Sequence, residues 1–373
     1  MRLLAACSLG GAGHLRPLLA FLEAAQAAGH ETVVVAPPAL EAMVTGAGWP
    51  FVPGGEPPEA VVAPIREQLA VLAPAKAAAL AAGELFGRLA AAAMLPAMAS
   101  AFERWRPTHV LREPCEYASA VLAQRTATPT AQVAISLAEV EAGSISLASA
   151  ALDAHQPGIA DALRRTDYLS RFPTSLDPSP LPRTHRYRVD EPAAAPLPDV
   201  WPRAAAPLVY VSLGTVLGHM SMAADRYRAV LEAVRPLDVR VLLSVGTTFD
   251  RSLLGPPPPH VHVTEWVHEP DVRAQAAMIV CHGGSGTVFG ALAAGIPLVV
   301  VPAFADQREN GRRVAAAGAG VTVDPAEPVA IAAAVTAVLG DRRFRERARR
   351  LAAEMAAAPT PGELLAALWP SAA

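Results

Sequence analysis

Residues 281–310 read CHGGSGTVFGALAAGIPLVVVPAFADQREN, from Cys281 to Asn310. The apolar run Met278–Cys281 that leads into this stretch predicts a buried strand, and a helix is expected to begin near Ser285. Between them lies His282-Gly283-Gly284-Ser285-Gly286-Thr287. Glycines let a backbone approach a ligand closely and take positive φ. A helix start presents free N–H groups and the positive end of its dipole to an anion. Ser285 and Thr287 add hydroxyls, and His282 adds an imidazole. Together these residues predict a diphosphate cradle that needs no metal. After a further strand at Leu298–Val301, Asp306 and Gln307 open the next helix, where polar groups can hydrogen-bond the hydroxyls of a sugar. A glycine-rich strand-to-helix turn with a capping aspartate would explain any one of these pieces. The whole string in this order points to a nucleotide-sugar site.

Outward from this stretch, strands and helices alternate. In the second half, strands are expected at Leu208–Ser212, Val239–Ser244, Val261–Thr264 and Val321–Val323. Helices are expected at Met222–Val234, Thr287–Ala294 and Gln307–Ala317, then almost to the chain end. The first half alternates in the same way. Its expected strands are Leu3–Cys7, His30–Ala36, Gly48–Val52, His109–Leu111 and Thr130–Ile135. Its expected helices are Leu15–Ala28, Glu41–Ala47 and Glu116–Thr126, with several Ala/Leu-rich ones between Pro57 and Trp105. Strands separated by helices imply parallel sheets. Prolines recur through Pro173–Pro207, which no helix can cross, so this segment reads as an interdomain linker. The expected organisation is an N-terminal domain over 1–190, a linker over 191–207 and a nucleotide-sugar domain over 208–357. A terminal helix over 358–373 is expected to return to the first domain.

The bulk numbers narrow the function classes. A chain of 373 residues suggests two domains. Its net charge of −3 carries no basic excess of the kind nucleic acid demands. The Arg-rich stretch Asp341–Arg350 has acidic residues interleaved and reads as a solvated helix face. Three widely spaced cysteines, Cys7, Cys115 and Cys281, argue against a disulfide framework or a zinc site, and for the cytoplasm. Met1 runs straight into a strand-like segment with no signal-peptide pattern. The apolar stretch Leu89–Phe102 is too short to span a bilayer and carries Pro96, so no stable membrane insertion is expected. There is no Walker-type G-x-x-x-x-G-K and no H-E-x-x-H. Arg16 stands where the dinucleotide fingerprint has its third glycine. No D-x-D is present to bridge a diphosphate through a metal. The expected metal set is therefore empty, and no cofactor is called for.

The stretch H-G-G-x-G-T, followed by G-x-P, then Asp306-Gln307 and Asn310, closely resembles the signature of family 1 glycosyltransferases, which include bacterial antibiotic glycosyltransferases. The resemblance implies an α/β protein of the GT-B class, with two Rossmann-like domains whose parallel sheets face across a cleft. Weaker similarity extends along the chain. Tyr210-Val-Ser-Leu-Gly-Thr215 resembles the family's strand and turn near the diphosphate. Glu265-Trp266-Val267 resembles its base-binding segment. Carried over, the roles place His282, Ser285, Gly286 and Thr287 on the diphosphate, with Ser212, Gly214, Thr215 and Gly284 as further donor-binding residues. Trp266 and Val267 would face the base, and Asp306 and Gln307 the donor sugar.

Gly13-His14-Leu15-Arg16-Pro17 resembles the family's G-H-x-x-P, whose histidine is the catalytic base. The chemistry needs such a group, because an acceptor hydroxyl is a poor nucleophile until its proton is removed during attack. The positive end of a helix disfavours the imidazolium and keeps such a histidine able to accept that proton. Relatives pair it with an Asp in a segment like Asp-x-x-x-Tyr. Here the segment is Arg112-Glu113-Pro114-Cys115-Glu116-Tyr117, with Glu113 one methylene longer in the Asp position.

The resemblance implies inverting transfer of a sugar, a deoxysugar from a thymidine diphosphate, to a small hydrophobic aglycone, and it leaves a homodimer open. Two other readings stay open: a transferase of the same fold acting on a lipid-linked cell-wall precursor, and a non-catalytic nucleotide-binding helper.

Overall fold

The computed structural model describes residues 1–9, 11–198, 200–202, 205–214, 218 and 222–370. They form two compact units, Met1–Val189 together with the C-terminal stretch from Ala358, and Asp190–Ala357.

The first unit contains strands β1 (Arg2–Ala6), β2 (Glu31–Ala36), β3 (Phe51–Pro53), β4 (His109–Arg112), β5 (Thr130–Val133), β6 (Asp167–Ser170) and β7 (Thr184–Arg186). They build one parallel sheet in the order β3-β2-β1-β4-β5-β6-β7. Leu3, Leu4, Ala5 and Ala6 have no exposed surface. A parallel sheet covered by helices on both faces wants such continuous apolar runs rather than alternation. Its helices are α1 (Ala12–Ala27), α2 (Glu41–Gly46), α3 (Glu59–Val71), α4 (Pro74–Ala79), α5 (Ala91–Trp105), α6 (Ala118–Thr126), α7 (Ala138–His155) and α8 (Ile159–Arg164). Gly29, at φ 76°, lets the chain turn from α1 into β2.

The second unit repeats the plan. Its strands are β8 (Leu208–Ser212), β9 (Arg240–Ser244), β10 (Val261–Thr264), β11 (Met278–Cys281), β12 (Leu298–Val300) and β13 (Gly320–Thr322). They form a parallel sheet in the order β10-β9-β8-β11-β12-β13. Helices α9 (Ala223–Val234), α10 (Glu269–Arg273), α11 (Ser285–Ala293), α12 (Gln307–Ala316), α13 (Pro328–Gly340) and α14 (Arg342–Ala356) follow in turn. The last helix, α15 (Pro361–Leu368), belongs to the first unit and packs on α1, with Leu364 and Leu365 in the core around Phe21 and Leu22. It starts with a reciprocal cap between Thr360 and Glu363, and Pro361 follows the cap.

Both sheets have the doubly wound order of the Rossmann fold, in which the direction of winding reverses between the first and fourth strands. The expected class of two Rossmann-like α/β domains is the observed one.

Two expectations need correction. Pro173–Pro207 is not linker throughout. Its first part carries β7, which pairs with β6 between the prolines, and Arg183 and His185 flank Asp167 at 2.7 Å and 2.8 Å. Three proline-free residues are enough for a short edge strand once side chains anchor them. The later part is laid on the second unit, where buried Trp201 donates its indole N–H to the Val241 carbonyl at 3.0 Å. The apolar helix is also longer than expected. Pro74–Trp105 is one helical run of 32 residues, with a wider-wound segment at Leu80–Ala90 joining α4 to α5. Its length and mean hydropathy would suffice to cross a bilayer; 44% of its most apolar window is buried inside the unit, where it packs against α6 and α7.

Candidate active site

In an open α/β sheet, ligands gather beyond the C-terminal strand ends where the winding reverses. In the first unit that point lies between β1 and β4, whose last paired residues are Ala6 and Arg112. The chain leaving β1 turns through Gly11, at φ 67°, into α1 and places His14 in its first turn. The chain leaving β4 begins with Glu113. His14 Nδ1 lies 3.1 Å from Glu113 Oε2, with Glu113 wholly buried and the imidazole 19% exposed. A carboxylate only accepts, so Nδ1 carries the proton and Nε2 is the basic nitrogen of the ring. The carboxylate is itself fixed by backbone donors, Ser8 N–H to Oε1 at 3.0 Å and Cys115 N–H to Oε2 at 2.7 Å. The longer side chain of Glu113 is thus accommodated by a loop that folds around it. The Phe86 ring lies almost parallel to the imidazole at 5.9 Å. The Cys115 thiol falls within 4.8 Å of the His14 and Glu113 donor atoms.

The second unit has the same reversal between β8 and β11, which end side by side at Ser212 and Cys281. His282 follows β11. A Cβ on Gly214 would lie 2.7 Å, and one on Gly284 2.4 Å, from His282 Nε2, so the ring occupies space that only two glycines leave open. Burial lowers the His282 pKa, favouring the neutral ring, and the Asp306 carboxylate opposes it. Gly283 has φ 88°, and a Cβ there would meet Val300 Cγ1 at 2.7 Å and the Gln307 carbonyl at 2.8 Å. Among the described residues no side-chain cap is made at Gly284, the N-cap of α11, and the first N–H groups of a helix are the ones an anion can take. Gly286 is exposed, and a methyl group there would meet nothing within 4 Å among the described residues; Thr287 is half-buried beside it.

The turn is tied to α12 from below. Ser285 Oγ donates to Asp306 Oδ2 at 3.0 Å. Asn310 Nδ2 donates to the Gly283 carbonyl at 2.8 Å and lies 3.1 Å from both Ser285 Oγ and Asp306 Oδ2. Gln307 Oε1 accepts the Ala303 and Phe304 N–H groups at 2.8 Å and 3.0 Å. Ala305, a non-glycine residue at φ 53°, bends the chain just before Asp306.

The chain's two halves match the N-terminal and C-terminal domain families described as erythromycin biosynthesis protein CIII-like, over residues 23–166 and 228–369. The chain belongs to this glycosyltransferase family. It is 32% identical over 366 residues to the L-demethylnoviosyl transferase of Streptomyces niveus, covering 95% of this chain and 94% of that one. Among solved structures it is similar to the glycosyltransferase SnogD from Streptomyces nogalater, with TM-score 0.78 and 26% identity over 99% of this chain and 98% of that one. It is equally similar to spinosyn rhamnosyltransferase SpnG, with TM-score 0.78 and 26% identity over 99% and 100%. SpnG has been solved with thymidine diphosphate and, separately, with spinosyn aglycone.

Within this glycosyltransferase, the structure joins His14 to Glu113 in one unit. In the other it gathers Ser212, Gly214, His282, Gly284, Ser285, Gly286 and Thr287 at one strand-end cluster, with Asp306 and Gln307 beside the turn. Thr215 lies outside the described residues. Trp266 is 66% exposed beyond β10, which excludes a core role in its unit, and Val267 is half-buried next to it. Two residues of the site escape sequence reasoning. Asn310 stands in the sequence only as the end of a pattern, yet it holds the turn, Ser285 and Asp306 together. Arg112 stands there only as the neighbour of Glu113. A charged residue closing an otherwise apolar strand, HVLR, is the available signal.

Proposed function

We propose that this chain transfers a deoxysugar from a thymidine diphosphate donor to a natural-product aglycone, with inversion and without a metal. The observation that carries this reading is the His14–Glu113 pair at one winding reversal, matched by a glycine-lined helix start at the other. The names of the relatives support the substrate classes: one is an L-demethylnoviosyl transferase, and another has been solved with thymidine diphosphate and, separately, with an aglycone. The dyad favours an enzyme over a nucleotide-binding helper.

His14 Nε2 takes the proton of the acceptor hydroxyl as its oxygen attacks the anomeric carbon. The bond to the diphosphate breaks on the opposite face, so one displacement inverts the centre. Glu113 holds Nδ1–H and stabilises the imidazolium that forms. The leaving diphosphate receives the N–H groups of Ser285, Gly286 and Thr287, the Thr287 hydroxyl and the His282 ring. Ser212, Gly214 and Gly284 shape that site, and Ser285 Oγ serves it by fixing Asp306. In this reading Asp306 and Gln307 are assigned to the sugar and Trp266 and Val267 to the base, while Thr215, outside the described residues, is assigned to the diphosphate by the resemblance alone.

The reading is tested by turnover of a dTDP-deoxysugar, dTDP-6-deoxyglucose, with a panel of phenolic and macrolide aglycones in the presence of EDTA. Product should form at an undiminished rate, with anomeric coupling opposite to that of the donor. Retained configuration, or a strict need for Mg²⁺ or Mn²⁺, would defeat it. His282→Ala should weaken thymidine diphosphate binding by about 1–3 kcal/mol, the worth of a hydrogen bond to a charged group. Calorimetry reads this directly, and unchanged affinity would remove His282 from the site.

A further inference from the structure

Arg112 ends the central strand β4 with its side chain wholly buried. A buried guanidinium is costly unless every donor finds a partner. Here the partners are specific. Nη2 donates to the Pro114 carbonyl at 2.7 Å, Nε to the Glu116 carbonyl, and Nη1 to Gln132 Oε1. The guanidinium also lies 5.2 Å from the Tyr117 ring centroid. Gln132 in turn reaches Glu141 Oε2 at 3.3 Å. Both gripped carbonyls belong to the loop that wraps the Glu113 carboxylate, and the Glu116 N–H closes that loop on the Glu113 carbonyl at 3.1 Å.

The geometry turns on one peptide group. The Pro114 carbonyl and the Cys115 N–H belong to the same planar trans unit and point in opposite directions. Arg112 holds its oxygen at 2.7 Å, and Glu113 Oε2 receives its N–H at 2.7 Å. That same Oε2 receives His14 Nδ1. Fixing the oxygen fixes the N–H, the N–H fixes the carboxylate, and the carboxylate fixes the imidazole.

We infer that Arg112 is the positioning residue of the catalytic dyad, acting through the Pro114–Cys115 peptide to set where Glu113 holds His14. The inference rests on the dyad reading of His14 and Glu113 given above. A planar fork is required, because the acceptors lie on three separate groups; a lysine ammonium carries the charge but cannot span them.

The experiment compares Arg112→Met, Arg112→Lys and His14→Ala with the parent enzyme. The first readout needs no substrate: the hydrogen-bonded imidazole N–H proton resonance of His14, assigned by its absence in His14→Ala. The second is kinetics with dTDP-6-deoxyglucose and an accepted phenolic aglycone, alongside calorimetry with thymidine diphosphate. Arg112→Met should lose or broaden the resonance and lower kcat about 10–100-fold, as expected when a remote change misplaces a reacting group, with nucleotide affinity within about twofold of the parent. Arg112→Lys should fall between the two and decides the matter if Arg112→Met does not fold. Parental kcat and resonance in the folded variants would overturn the inference, and so would a loss of kcat with the resonance intact. A fully active His14→Ala enzyme is a different result: it would sink the dyad reading itself.

Discussion

His14→Ala should lower kcat for a hydroxyl acceptor about 10²–10⁴-fold, the range typical of a lost general base. Thymidine diphosphate affinity should be nearly unchanged, because the candidate anion cradle is built from the other compact unit. Glu113→Gln should cost less than His14→Ala. With its oxygen in the Oε2 place the amide can still accept from His14 and Cys115, but it offers no charge to an imidazolium, and its NH₂ would then face the Ser8 N–H that the carboxylate now receives. Steady-state kinetics of both variants, with calorimetry on each, separates the roles. An equally active His14→Ala enzyme would place the catalytic centre elsewhere.

The second large effect is expected at the glycine turn, where two neighbouring substitutions should behave in opposite ways. Gly283→Ala forces a side chain into a positive-φ conformation and drives its methyl into Val300 and the Gln307 backbone. Left-handed strain of about 1–2 kcal/mol adds to overpacking of about 1–3 kcal/mol, so the second unit should lose about 2–5 kcal/mol of stability. Backbone atoms cannot give way as a flexible side chain can. Among the described residues Gly286→Ala meets nothing within 4 Å, and it needs no unusual backbone angle, so stability should hold. Its methyl would instead stand on the exposed first turn of α11, where the diphosphate is proposed to sit. Urea unfolding and nucleotide calorimetry on both variants make the comparison. If Gly286→Ala binds thymidine diphosphate as the parent does, the anion does not lie across that turn.

Much of this protein can be read along the chain. Val33, Val34 and Val35 or Val209 and Val211 are buried whichever helices cover them, so the strands follow from local composition, and strand–helix alternation leads to parallel sheets, while their Rossmann-like class is implied by the family resemblance. The turn Cys281–Thr287 is legible because its requirements are local: glycines, a helix start and hydroxyls within a few residues. His14 and Glu113 are legible as candidates only through a family resemblance, since they stand 99 positions apart and nothing local connects the two.

What only the tertiary structure decided lies where distant strand ends meet. Parallel pairing of β1 with β4 brings Glu113 to His14, and pairing of β8 with β11 brings Gly214 under the His282 ring. The prolines of Pro173–Pro207 forbid a helix but say nothing against a short strand held by Asp167, so β7 is invisible in the sequence. Arg112 cannot be read there as a clamp, because its partners become neighbours only when the loop after β4 folds back and β5 delivers Gln132 beside it. Sequence carries the periodicities that bury each strand and helix. The partners of a buried polar group are chosen by sheet order, which brings together residues that no local pattern relates.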